Sequence, residues 1–75
     1  MATPQERYFE GLMLRARNDR YPSQQLLSRI ERTFVNSDQV VEYVEMLLEK
    51  MDETWFPSAQ MLDRLQRMFE RVAAA

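Results

Sequence analysis

Residues 21–34, YPSQQLLSRIERTF, and residues 56–69, FPSAQMLDRLQRMF, are two versions of one segment set 35 positions apart. Seven positions are identical: Pro22/Pro57, Ser23/Ser58, Gln25/Gln60, Leu27/Leu62, Arg29/Arg64, Arg32/Arg67 and Phe34/Phe69. Three more are conservative, namely Tyr21/Phe56, Leu26/Met61 and Ile30/Leu65. The same offset aligns the segments that precede them, with Tyr8 on Tyr43, Glu10 on Glu45, Leu12 on Leu47, Met13 on Leu48 and Arg15 on Lys50. So many matches at one offset predict an internal duplication, with one repeat unit near 3–35 and the other near 37–72. Periods of roughly 20–50 residues usually belong to supersecondary units that bury their apolar faces against one another.

Each unit reads as helix, short loop, aromatic-Pro-Ser, helix. Thr3, Pro4 and Glu6 supply a capping hydroxyl, a proline at the first helical position and a capping-box glutamate. Tyr8, Phe9, Leu12, Met13 and Ala16 then fall on one helical face, and Asn18–Asp19 breaks the pattern. Ser23 caps a second helix whose apolar face is Leu26, Leu27, Ile30 and Phe34. Asn36 and Ser37 introduce a third, with Val40, Val41, Val44, Leu47, Leu48 and Met51 on one side and Glu42, Glu45, Glu49 and Asp52 on the other. Ser58 caps the fourth, where Met61, Leu62, Leu65, Met68, Phe69 and Val72 share a face. No segment alternates with period two. The expected fold is all-α, a single domain over 1–75 built as two tandem helical hairpins. Periodicity leaves open whether these form a compact bundle about a pseudo-twofold axis or a short helical-repeat stack.

Composition narrows the chemistry. A 75-residue chain buries only about 60% of its unfolded surface, which argues against a deep, dry active site. There is no cysteine and no histidine, so thiolate metal sites, thiol nucleophiles and imidazole bases are excluded. The single glycine, Gly11, cannot form a phosphate-cradling loop; inside a helix it is expected to permit a close helix approach. The serines have no histidine base. The only catalytic equipment is the acidic stripe Glu42, Glu45, Glu49, Asp52, and an exposed stripe lacks the pocket that drives carboxylate pKa values apart. The expectation is a protein that is not an enzyme and that holds no metal or cofactor.

Ten basic and twelve acidic residues leave a net charge of −2, so bulk charge selects neither nucleic acid nor membrane. No apolar run approaches the roughly 18–20 residues of a membrane span. The opening residues MATPQER lack the basic and apolar regions of a signal peptide. A cytoplasmic protein is the expectation.

Charge distribution says more than the total. Residues 37–53 are dominated by acids, whereas Arg29 and Arg32, and again Arg64, Arg67 and Arg71, form short basic stripes. Trp55 stands in a loop where the first unit has Arg20, and Trp and Arg are enriched among binding hot spots. The sequence therefore points to a small helical protein–protein interaction module, an adaptor or regulator with separated acidic and basic faces. The expected contact surface is Trp55 with Arg64, Arg67 and Arg71, and the second is Glu42, Glu45 and Glu49. The alternative, ranked lower, is a small nucleic-acid-binding regulator using the Arg stripes of the second and fourth helices. Six methionines and eight aromatic residues are many for one small core to cover, which makes a symmetric homodimer a further expectation.

Overall fold

The first helix begins where its capping chemistry places it. Thr3 is in extended conformation, and its Oγ1 accepts the Glu6 amide hydrogen at 3.2 Å while its carbonyl accepts from Arg7 N at 3.0 Å. The glutamate does not close a reciprocal capping box: the Thr3 hydroxyl donates to Glu6 Oε1 at 3.1 Å. The computed structural model describes residues 2–53 and 58–74. Their regular elements are α1 (Pro4–Asn18), α2 (Gln24–Thr33), α3 (Ser37–Glu53) and α4 (Ala59–Ala74). The protein is all-α. It divides into two units, Met1–Val35 and Asn36–Ala75, in which α1 packs on α2 and α3 on α4.

In the first unit, α1 stops at Asn18, and Asp19 turns the chain. The Asp19 amide donates back to the Ala16 carbonyl at 3.2 Å, and its Oδ1 accepts from Tyr21 N at 3.1 Å, the Asx turn that aspartate favours. Ser23 Oγ then accepts from Leu26 N at 3.1 Å and opens α2. Phe9, Met13 and Ala16 of α1 and Leu27 and Ile30 of α2 are fully buried. Burial of one such large apolar side chain contributes about 1.5–3 kcal/mol. Phe34 is not the last residue of the α2 apolar face but its C-cap, in non-helical conformation. That turn lays its ring against Phe9, with centroids 6.1 Å apart and planes tilted by 59°, a favourable arrangement for two quadrupoles. The side-chain amide of Gln5 donates to the Thr33 carbonyl, satisfying one acceptor that the end of α2 leaves open.

The second unit starts on Asn36, whose Oδ1 accepts from Gln39 N at 2.9 Å. Helix α3 buries Gln39, Val40, Tyr43, Val44, Met46, Leu47 and Lys50. This arc is turned away from the centre of the apolar stripe: Val41 is exposed, and Leu48 and Met51 are only half-buried. Large Tyr43 and Met46 fill space better than the β-branched Val41, so packing volume outweighs the hydropathy pattern. Ser58 Oγ accepts from Met61 N at 3.1 Å and opens α4 as Ser23 opens α2. The buried side of α4 is Arg64, Leu65 and Met68, with Met61 half-buried; Leu62, Phe69 and Val72, expected inside, are exposed.

Gly11 does not mark a close approach. A Cβ added there meets nothing within 4 Å, the residue is exposed, and its φ is not positive. The glycine therefore costs helix stability and gains no contact. Gly11→Ala is expected to stabilise the protein by about 0.5–1 kcal/mol, raising the midpoint of a thermal circular-dichroism melt by roughly 2–8 °C. A lowered midpoint would show that the position is not open.

Candidate interaction surfaces

Burial of Leu27 and Ile30 turns the opposite side of α2 outward. Gln24, Gln25, Ser28, Arg29 and Arg32 recur there at i, i+1, i+4, i+5 and i+8 and line an open groove of about 530 Å³. Gln25, Arg29 and Arg32 are exposed, and Gln24 and Ser28 half-buried. Three residues of helix rise separate the two arginines by roughly 4.5 Å along the axis. Each planar guanidinium can grip a carboxylate or phosphate with two parallel hydrogen bonds. The glutamines and the serine add neutral donors and acceptors that fit a polar backbone as well as a charged group. The surrounding unit has the same sign: residues 1–35 carry six arginines against four acids, residues 36–75 four cations against eight acids.

The fourth helix separates the arginines that the sequence groups. Arg67 and Arg71 are exposed, but Arg64 is only 5% exposed and lies on the buried side with Leu65 and Met68. A buried guanidinium is removed from water, and its three-carbon stem adds apolar contact. Arg64 therefore does not join the surface expected of it. Arg29, 35 positions earlier in the sequence, is exposed in the α2 groove, so the two arginines take opposite environments.

On α3, Glu45, Glu49 and Asp52 are exposed and Glu42 is half-buried. Among the described residues no three His, Cys, Asp or Glu side chains are grouped so that they could hold a metal ion. Trp55, expected beside the α4 arginines, lies outside the described residues. Arg67 and Arg71 lie on the exposed side of α4, and Glu45 and Glu49 on the exposed side of α3. Two surface features escape a reading by residue type alone. Gln24, Gln25 and Ser28 are individually unremarkable and become a groove only with Arg29 and Arg32. Leu62, Phe69 and Val72 match a core pattern and are found outside.

An exposed Arg20–Tyr21 pair at the α1–α2 turn adds a cation–π contact, with the guanidinium carbon 5.6 Å from the ring centroid. No described helix is long and apolar enough to cross a membrane. No protein-family profile, curated protein or solved structure matches this chain.

The contrast between Arg64 and Arg67 is measurable. Arg64→Ala removes a buried charged side chain and leaves a void, with an expected loss of about 1–3 kcal/mol in urea unfolding. Arg67→Ala, at an exposed position, is expected to stay within about 0.5 kcal/mol of the parent. Equal effects of the two substitutions would contradict the burial of Arg64.

Proposed function

We propose that the chain is a non-enzymatic protein-interaction module whose α2 groove receives an acidic segment of another protein. The observation that carries this reading is the groove itself, where Arg29 and Arg32 stand among Gln24, Gln25 and Ser28 on an outward helix face. Two guanidinium forks recognise carboxylates, and the neutral side chains can bind the amides between them. The net positive charge of residues 1–35 favours the approach of an acidic partner and speeds the encounter. The absence of cysteine and histidine from the sequence supports a binding role over catalysis. Localisation in the cytoplasm is part of the same proposal.

Fluorescence anisotropy with a short labelled Glu-rich peptide, and in parallel with a labelled DNA duplex, tests the reading. The expected result is peptide binding that Arg29→Glu/Arg32→Glu weakens by about tenfold or more, as loss of charge-assisted pairs requires. Arg67→Glu, on α4, is expected to change it less than about twofold. Tighter binding of the duplex, with affinity falling steeply as salt rises, would replace the reading with nucleic-acid recognition. Binding of neither probe would overturn it.

A further inference from the structure

The residues that line the α2 groove run from Gln24 to Arg32, roughly 12 Å along the helix axis. They form two adjacent rows at the i+4 spacing, Gln24, Ser28 and Arg32 beside Gln25 and Arg29. Both cations stand in the C-terminal half of the groove. None of the lining side chains is apolar and none is acidic.

Volume restricts the shape of what can lie there. A helix about 10 Å across displaces roughly 950 Å³ over that length, well beyond the groove's 530 Å³. An extended strand, about 4.8 Å wide and 10 Å deep, displaces roughly 580 Å³ over the same length. Four extended residues, at about 3.3 Å each, span the groove from end to end.

The chemistry of the lining favours the same conformation. With no apolar side chain to remove from water, affinity has to come from charge and hydrogen bonding. Helices that dock in grooves usually do so through apolar anchors, and their amides are already engaged in internal hydrogen bonds. An extended segment keeps its N–H and C=O groups open to a partner. The Gln25 side-chain amide holds both donors and an acceptor, the complement of a peptide unit, and the Ser28 hydroxyl serves either way. Gln25 is exposed and Ser28 half-buried.

We infer, resting on the acidic-segment reading of this groove, that the segment lies in it as an extended strand of about four residues. Two carboxylates two positions apart meet Arg29 and Arg32, and the backbone beside them bonds to Gln25 and Ser28. In an extended chain such residues lie on one side, about 6.6 Å from each other. Arg29 and Arg32 are roughly 4.5 Å apart along the axis and about 60° apart around it, so their side chains diverge outward to reach both groups. The residue between the two acids points away from the groove, and its identity is free. The groove therefore selects the spacing of the acids and the conformation of the segment as well as its charge.

Three labelled peptides with equal numbers of glutamates, read by fluorescence anisotropy on the full chain, test this. The first alternates Glu with Thr, whose branched side chain resists helix formation. The second is the same peptide with its Thr amides N-methylated, which keeps every carboxylate and removes backbone donors. The third is a hydrocarbon-stapled helix with its glutamates at i and i+4. The alternating peptide is expected to bind about tenfold or more tighter than the stapled helix. It is also expected to bind about threefold or more tighter than its N-methylated form, the effect of losing one backbone hydrogen bond. Gln25→Leu keeps the bulk of an exposed side chain and removes its amide. It is expected to weaken the alternating peptide about threefold or more and the N-methylated peptide less, because both changes remove the same bonds. A stapled helix that binds as tightly as the alternating peptide, or an alternating peptide indifferent to N-methylation and to Gln25→Leu, overturns the extended strand and leaves the acidic-segment reading standing. Binding of none of the three overturns both.

Discussion

Two serine hydroxyls set the frame on which the rest depends. Ser23 Oγ and Ser58 Oγ each accept the amide hydrogen three residues on, at 3.1 Å, and each serine carbonyl accepts from the fourth at 3.1 Å. A helix without such a cap leaves its first amides to water and frays, at a cost of about 1 kcal/mol. In a chain of 75 residues, with no disulfide to restrain the unfolded state, that cost is a large share of total stability. Thr3 and Asn36 act in the same way for α1 and α3. The caps place the starts of all four helices.

Placing a start does not choose which side of a helix faces inward. Helices α2 and α4 begin from the same cap and share seven identical residues over the aligned segment, yet α2 buries Leu27 and Ile30 while α4 buries Arg64, Leu65 and Met68. The neighbours differ. Helix α1 presents Phe9 and Met13 to its unit, where Phe34 can turn off the end of α2 and meet Phe9. At the aligned positions α3 has Val44 and Leu48, and the bulk it buries instead is Tyr43 and Met46. A helix rotates toward the side where its partner fills space, because a small gap already forfeits much of the dispersion energy of the contact. That rotation exposes Leu62 and Phe69 and takes Arg64 inside.

The packing of each helix also decides which charges it turns outward. Residues 1–35 carry excess positive charge, with Arg29 and Arg32 on the outward side of α2, and residues 36–75 carry excess negative charge, with Glu45, Glu49 and Asp52 on the outward side of α3. A polar groove on one unit and the exposed Leu62, Phe69 and Val72 on the other are chemically different kinds of surface. Charge-lined grooves govern encounter and orientation, whereas apolar seams contribute affinity by removing surface from water.

The all-α class, the number of helices, the start of each and the break at Asn18–Asp19 were legible in the residues, since capping and helical periodicity are local properties of the chain. So was the chain's lack of thiol and imidazole chemistry. The rotational phase of α3 and α4, the burial of Arg64, the exposure of Leu62, Phe69 and Val72, the turn of Phe34 onto Phe9 and the open space around Gly11 were not. Each depends on the volume and shape of a side chain brought close only by folding, and hydropathy along one helix carries no record of its neighbour. Local hydrogen bonding along the chain determined where the helices lie in the sequence; tertiary packing decided which of their faces the protein offers.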